Sequence, residues 1–104
     1  MIRRSAGSGG KGWLTGPWDS AIPVALGFAD CGVDDLHHHE EMYEIYLVAR
    51  GEGTAMVDGE AVRPRAGDLL AVEPGEVHTF VTSSEDYLHF VVQAPFVAGD
   101  KHSP

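Results

Sequence analysis

The chain has a single cysteine, Cys31, and few basic residues. One cysteine excludes an intramolecular disulfide and a zinc site built on several thiolates. It also suits a reducing compartment, so we expect the protein to be cytoplasmic. The 104 residues include 7 Lys and Arg against 16 Asp and Glu, which gives a formal net charge of -9. This acidic balance disfavours nucleic acid and anionic membrane surfaces as partners.

Long apolar runs and helical periods are missing as well. No segment approaches the about 18 consecutive apolar residues that a membrane-spanning helix needs. Short segments rich in aliphatic, β-branched and aromatic residues alternate instead with Gly, Pro and Asp turns, as in residues 43–50, 69–72 and 87–93. Asp58-Gly59 is the strongest hairpin signal in the chain. This pattern predicts an all-β sandwich or barrel.

The length is that of one domain. Residues 1–12 are rich in Gly and Ser and are predicted to be a flexible N-terminal tail. We expect residues 13–97 to form a single β-barrel domain and residues 98–104 to form a loose C-terminal tail. Trp13 and Trp18 flank a turn signal, so we expect them to cover one end of the core, with substrate stacking as the alternative.

Histidines and carboxylates are concentrated in front of one predicted strand. Residues 37–39 are all histidine, Glu44 follows shortly after, and His78 comes behind a Pro-Gly turn. Imidazole nitrogen and carboxylate oxygen are ligands of divalent transition metals. In an extended chain His37 and His39 share one face and His38 takes the other, so we expect His38 to point outward.

Glu44 can join His39 at one metal ion only if the backbone between them is irregular. It lies five residues after His39, and an unbroken strand would therefore point the two side chains to opposite faces. Both can face one ion only if residues 40–42 bend or bulge and reset the alternation. Glu40 and Glu41 remain alternative carboxylate ligands.

The two stretches resemble the two sequence motifs of the cupin family. The matching positions are Gly32, His37, His39, Glu44 and Gly51 in the first motif, and Gly67, Gly75 and His78 in the second, with Pro74 beside the expected Pro position. Gly32 is one residue closer to His37 than usual, and Glu73 and Thr82 replace the common Pro and Asn. No ligand position is lost. The resemblance covers residues 22–95 and implies a double-stranded β-helix, or jelly-roll β-barrel.

The resemblance also implies a metal site and a mode of association. In cupins, the residues at the positions of His37, His39, Glu44 and His78 converge in the barrel mouth on one divalent transition metal, here Fe, Mn, Zn, Ni or Cu. Four protein ligands leave two positions of a six-coordinate ion free for water, substrate or dioxygen. Small cupins often pair through their sheets, so a homodimer is expected.

The favoured function is that of a metal-dependent enzyme that acts on a small organic substrate, by dioxygenase or isomerase/lyase-type chemistry. Two further side chains are predicted to be catalytic. Tyr46 shares the face of Glu44, and His89 lies on a strand that lines the pocket in cupins, where it would serve as general base or proton shuttle. The alternatives are a core role for Tyr46 and surface packing for His89.

Two other functions stay open at this point. The chain could be a non-catalytic module that binds or senses a sugar or another small molecule, or the metal could only stabilise the fold. A purely apolar pocket would favour binding, whereas an acid or base beside the metal would favour catalysis.

Overall fold

The computed structural model describes residues 1–7, 9–31 and 35–104, and this part of the chain contains strands but no helix. The strands are β1 (Lys11–Thr15), β2 (Ala25–Ala29), β3 (Tyr43–Arg50), β4 (Gly53–Val57), β5 (Glu60–Val62), β6 (Leu69–Val72), β7 (His78–Ser83) and β8 (Leu88–Ala94). They form two antiparallel sheets in the orders β1-β2-β8-β3-β6 and β5-β4-β7. The prediction of an all-β fold is confirmed. None of the described residues forms a helix long and apolar enough to cross a membrane.

Several strands lie where the sequence pattern placed them. β3 and β6 have the predicted bounds, and β8 begins and ends one residue later than predicted. The β4–β5 hairpin turns at Asp58 and Gly59, whose φ angles of 48° and 81° are those of a turn that matches the twist of the paired strands. Local turn chemistry and alternation were therefore sufficient to find these elements.

The inward face of β3 contributes side chains to both the apolar core and the polar candidate site. Glu44, Tyr46 and Val48 are buried, whereas Tyr43 and Leu47 on the opposite face are exposed. Tyr46 and Val48 belong to the apolar core between the sheets, together with Ala55, Val72, Phe80 and Tyr87. The same strand thus anchors the core at Val48 and presents a carboxylate at Glu44.

The inward positions of β2 are occupied by small residues, Ala25, Gly27 and Ala29. The space above Gly27 is filled by Trp13 of β1, since an added Cβ would lie 2.7 Å from Cε3 of that indole. Of these three positions, Ala29 at the end of the strand lines the cavity of the candidate site, next to Trp13.

Both chain ends are more ordered than the sequence suggested. β1 begins at Lys11, inside the segment predicted to be a tail. Near the other end, the Asp100 carboxylate is buried, and His102 forms an antiparallel bridge with His38. Residues 98–104 therefore differ from the expected loose tail, because bonds to residues some 60 positions earlier hold them, and no local pattern reveals such partners.

Candidate metal centre

Three imidazoles and one carboxylate converge in the mouth of the barrel. The Nε2 atoms of His37, His39 and His78 lie 3.5, 3.2 and 2.8 Å from Oε1 of Glu44. All four side chains are buried, and their ligand atoms lie within 4.8 Å of one another. The structure therefore brings together the four residues that the motif resemblance selected.

The backbone joins the two motifs directly. His37 and His78 form an antiparallel bridge, with N···O distances of 3.1 and 2.8 Å between their backbone groups. The turn at Pro74-Gly75 also reaches the first motif, since the Gly75 N–H donates to the carbonyl of His39 at 2.7 Å. Two segments that lie about forty residues apart in the chain are thus fixed side by side.

The bend that the sequence demanded lies at residues 40–41. The backbone N–H groups of Glu40, Glu41 and Met42 donate to the Asp100 carboxylate, each at 3.0 Å. Burial alone would raise the pKa of Asp100, but these donors hold it well below its usual range. The bend allows His39 and Glu44 to face the same point despite their odd spacing.

The remaining members of the histidine and glutamate run lie elsewhere. His38 stacks beside His102, with ring centroids 5.4 Å apart, and is not part of the converging group. Glu40 and Glu41 are exposed, so neither enters the buried cluster in place of Glu44. Gly32, a position of the first motif, lies outside the described residues. The other motif glycines, Gly51, Gly67 and Gly75, all have positive φ angles, which side-chain-bearing residues rarely adopt.

Each converging imidazole is oriented by a backbone carbonyl. Nδ1 of His37 lies 2.6 Å from the carbonyl of Asp35, Nδ1 of His39 lies 2.9 Å from that of Asp100, and Nδ1 of His78 lies 3.0 Å from that of Glu76. Since a carbonyl can only accept, each Nδ1 carries the hydrogen, and each Nε2 lone pair points inward. Metal-binding histidines are typically oriented in this way.

The chemistry of this donor set fits a divalent cation. Three inward lone pairs face a carboxylate. In the described part of the chain, the groups that can donate to this carboxylate without a change of protonation are the Tyr46 hydroxyl at 2.6 Å and the Gln93 amide at 2.8 Å. A bound cation satisfies all of these acceptors at once, whereas otherwise protons must be shared among them. Nitrogen and carboxylate ligands suit iron, manganese, nickel, zinc and copper, so the donor set does not select one of them.

The carboxylate and the imidazoles of this cluster shift each other's pKa values. Burial by itself would raise the pKa of Glu44, but the three surrounding imidazoles and the Tyr46 hydroxyl lower it far below its usual range. Burial would likewise lower the pKa of His39, but hydrogen bonding to Glu44 and the carboxylate charge outweigh it and raise that pKa. Protons and a metal ion therefore compete for the same nitrogen.

A cavity of about 270 Å³ adjoins the cluster. Its walls combine apolar and titratable groups, among them Lys11, Trp13, Tyr46, His89, Gln93 and Lys101. This lining is not purely apolar. Cys31, the one cysteine of the sequence, also lines the cavity, and its side chain is exposed.

His89 is buried in this wall and paired with Tyr87. The Tyr87 hydroxyl lies 2.6 Å from Nδ1 of His89. Tyr87 is fully buried, and no other acceptor for its hydroxyl lies among the described residues. The hydroxyl therefore donates to Nδ1, which leaves the hydrogen of the neutral imidazole on Nε2. Burial lowers the pKa of His89 to about 4, the Lys11 charge adds to this, and Glu44 opposes it. Near neutral pH, His89 thus presents an uncharged N–H to the cavity.

Sequence inspection did not single out three residues that shape the site. Gln93 lies four positions after His89 on β8, and this even spacing was a usable signal that both share the inward face. Asp100 and Lys101 had no such signal, because they follow the last strand and reach the site through tertiary contacts.

The fold and the site together define a class of protein: small β-barrels with three histidines and one glutamate in the barrel mouth. Residues 30–93 match the family model described as cupin domain, and the chain therefore belongs to the cupin family. The jelly-roll prediction is confirmed with it.

Individual relatives support this assignment. An oxalate-binding protein of Thermotoga maritima is 36% identical over 56 residues, which cover 54% of this chain and 46% of that protein. The chain thus matches about half the length of this curated relative. Among solved structures, a cupin protein from Bacteroides fragilis superposes with a TM-score of 0.73 at 21% identity and covers 98% of this chain and 88% of its own. A predicted oxalate decarboxylase from Thermotoga maritima has a TM-score of 0.69 at 21% identity, with 91% and 100% covered. At these identities the two structures establish the fold alone.

Proposed function

We propose that this cupin is a divalent-metal-dependent enzyme that transfers protons on a small organic substrate, in an isomerase or lyase-type reaction. One observation carries the proposal. The inward lone pairs of His37, His39 and His78 and the Glu44 carboxylate adjoin a cavity whose wall holds a neutral, buried His89.

The four converging side chains would hold the ion. A divalent metal bound there supplies Lewis-acid chemistry, by which a substrate oxygen is polarised and an adjacent C–H bond becomes more acidic. Four protein ligands leave positions open on a six-coordinate ion, which supports this role over one in which the metal only stabilises the fold.

The chain's own residues divide the remaining work. Tyr46, predicted to be catalytic, donates to Oε1 of Glu44 at 2.6 Å, so we assign it a positioning role at the carboxylate as well as a place in the cavity wall. Gln93 holds the other oxygen of the same carboxylate at 2.8 Å. With both oxygens held, Glu44 keeps one orientation during turnover.

His89 is the proposed proton-transfer residue. Its Nε2–H can donate to a developing negative charge on a substrate oxygen, since the uncharged imidazole is a donor at neutral pH. Burial raises the pKa of the Tyr87 hydroxyl, so this hydroxyl keeps its hydrogen and goes on donating it to Nδ1, which holds the Nε2–H of His89 toward the cavity. Burial favours this role because it keeps the imidazole uncharged and shields the exchange from bulk water.

The first test is elemental analysis of the untagged protein beside His78→Ala. We expect about one divalent ion per chain in the parent protein, and loss of the ion in the variant while the β-sheet circular dichroism signal persists, since one of four ligands is removed. Absence of metal from the parent, even after reconstitution with each candidate ion, would contradict the proposal.

The second test addresses the chemistry. Metal-loaded protein is incubated in D₂O with small hydroxy, keto and amino compounds, and solvent deuterium incorporation is followed by NMR. We expect incorporation to fall about 100-fold in His89→Asn, in line with the loss of a positioned proton-transfer group, with metal content unchanged. Dioxygen consumption by the iron-loaded protein without deuterium incorporation would indicate a dioxygenase instead.

A non-catalytic binding role is the second candidate. It is favoured by the name of the Thermotoga relative, an oxalate-binding protein, with which the chain shares 36% identity over 56 residues. On this alternative the cavity retains a small molecule without converting it. Tight binding of a compound that is recovered unchanged, and that His89→Asn binds equally well, would support this second function.

A further inference from the structure

A second group of histidines and carboxylates lies where the C-terminal segment meets the bend at residues 40–41. We call it the C-terminal cluster, and its members are His38, Glu40, Asp100 and His102. The ligand atoms of the last three lie within 4.8 Å of one another, and none of the four residues belongs to the group that converges in the barrel mouth. The proton transfer proposed above uses none of these side chains.

The backbone places the two imidazoles of this cluster side by side. His38 and His102 form an antiparallel bridge, with N···O distances of 3.0 and 2.9 Å between their backbone groups. Directly paired residues point to the same face, and the two ring centroids lie 5.4 Å apart with an angle of 31° between the ring planes. The fold therefore orders both imidazoles next to each other before any ion binds.

The Glu40 carboxylate faces both imidazoles. Its Oε1 lies 3.9 Å from Nε2 of His38, and its Oε2 lies 3.9 Å from Nε2 of His102. These distances are too long for hydrogen bonds. The ligand atoms of a tetrahedral ion with bonds of about 2.0–2.1 Å lie about 3.3 Å apart. A small rotation of the exposed Glu40 side chain therefore brings all three groups within reach of one ion.

Asp100 adds a carboxylate whose position is fixed. Its Oδ1 lies 3.2 Å from Nε2 of His102, and the side chain is buried and held by the backbone N–H groups of residues 40–42. Without an ion, an Nε2–H of His102 donates to this oxygen, and a bound ion would take the place of that hydrogen. A purely structural pair of Asp100 and His102 is the alternative that the experiment below separates.

The imidazole of His38 supplies an independent indication of a ligand. In the described part of the chain, its Nδ1 is buried without a hydrogen-bond partner, and its Nε2 faces Glu40 beyond hydrogen-bond distance. Polar groups in such surroundings nearly always have a partner, because leaving them unpaired is costly. Coordination through Nε2 would give this imidazole a polar partner.

We propose that the C-terminal cluster is a second divalent-cation site, which fastens the C-terminal segment to the bend. Imidazole nitrogen and carboxylate oxygen are ligands that suit Zn²⁺. Glu40 is exposed and His102 is partly exposed, so this ion should exchange with solvent, and dialysis against a chelator should remove it more readily than the ion of the buried centre. The inference concerns a different set of residues and does not depend on the proposed function.

The test is calorimetric titration of chelator-treated protein with ZnCl₂. We expect the parent to bind two ions per chain and His102→Gln to bind one. In a His78→Ala background, which disables the buried centre, Glu40→Gln and His102→Gln should each weaken zinc binding at least tenfold. Loss of a ligand costs no less than loss of a group that only orients one, which costs about 10- to 100-fold. Glu41→Gln, a neighbouring exposed carboxylate outside the cluster, is the matched control.

The imidazole ¹⁵N signals of His38 and His102 give a residue-specific readout, and both should shift when zinc is added to the His78→Ala protein. Unshifted signals would overturn the second site. So would a His102→Gln variant with a lower melting temperature but unchanged zinc affinity, because the pair with Asp100 would then be structural only. Equal weakening by Glu40→Gln and Glu41→Gln would assign the ion to diffuse surface charge and overturn it too. A single zinc ion in the parent that is lost in His102→Gln but kept in His78→Ala would support this site and contradict the proposed function.

Discussion

Oε1 of Glu44 lies 2.8 Å from Nε2 of His78, although the two residues are 34 positions apart in the chain. A neutral His78 whose Nδ1–H donates to the Glu76 carbonyl has no hydrogen on Nε2, and an ionised Glu44 has none on Oε1. Two acceptors at hydrogen-bond distance repel each other unless a cation or a proton lies with them. This contact is therefore the clearest geometric sign that the cluster could bind a metal ion.

Metal affinity should depend on pH through His39. Burial alone would lower its pKa, but hydrogen bonding to Glu44 and the carboxylate charge raise it above the usual value of 6.5. Nε2 of His39 must be free of a proton to bind an ion. We expect the apparent dissociation constant of Zn²⁺ to rise as pH falls through this raised pKa, by about tenfold per unit for each imidazole that takes up a proton. Competition titrations with a chelator between pH 8 and pH 5.5 measure it, and a constant affinity across that range would contradict three histidine ligands.

The metal-free protein should show the opposite contribution from the same group. A histidine whose folded-state pKa is raised adds stability that is fully present below about pH 6.5 and is lost as pH rises through the folded-state pKa. Melting temperatures of the chelator-treated protein and of His39→Gln, compared at matched pH values, isolate the effect. The parent should lose its advantage over the variant as pH increases, and a growing advantage would refute the assigned direction.

Asp100→Asn should weaken both the fold and the metal site. An amide cannot accept from the backbone N–H groups of Glu40, Glu41 and Met42 as the carboxylate does, so the bend is held less firmly. We expect a loss of about 1–3 kcal/mol in the free energy of unfolding and metal affinity reduced about 10- to 100-fold. Glu60→Gln, an exposed replacement on β5, is the control. An Asp100 variant that matches it in both measurements would show that the C-terminal segment does not support the site.

Tyr87→Phe should allow His89 to populate both neutral tautomers. The hydroxyl that donates to Nδ1 disappears, while the ring that packs against Phe80 is kept. We expect ¹⁵N chemical shifts of the imidazole to report an increased Nδ1–H population, with a stability change of only about 1 kcal/mol. Tyr43→Phe, at an exposed position of β3, should leave these shifts unchanged. Identical His89 shifts in the parent protein and in Tyr87→Phe would contradict the assignment of the hydrogen to Nε2 by Tyr87.

Gly27→Ala should narrow the cavity. Its new Cβ would lie 2.7 Å from Cε3 of Trp13 and 2.9 Å from the Gly12 carbonyl oxygen, so the indole and β1 must move. We expect destabilisation of about 1–3 kcal/mol from overpacking, with weaker binding of any ligand that contacts Trp13. Gly12→Ala is the matched control because its Cβ would meet only Phe28, at 3.4 Å. Denaturant unfolding of both variants gives the comparison, and equal stability would show that Trp13 is not held against β2.

The alternation of side chains explains why so much of the candidate site could be predicted. His37 and His39 are two apart, Glu44 and Tyr46 are two apart, and each pair shares a face for the same geometrical reason. The odd step between His39 and Glu44 predicted a bend at residues 40–42, and the structure has a bend at residues 40–41. What holds that bend could not be predicted, since Asp100 is about 60 residues away.

By itself, the sequence determined most of the strands, the turns and the residue types that meet in the barrel mouth, because period-two alternation and glycines with positive φ are local properties. Tertiary structure alone decided which nitrogen of each histidine points inward, which hydroxyl holds His89, and where Lys11 and Lys101 stand relative to the cavity. These features depend on partners from other strands and from the C-terminal segment. The physical reason is that hydrogen-bond direction and electrostatic surroundings exist only after distant backbone groups have been brought into contact.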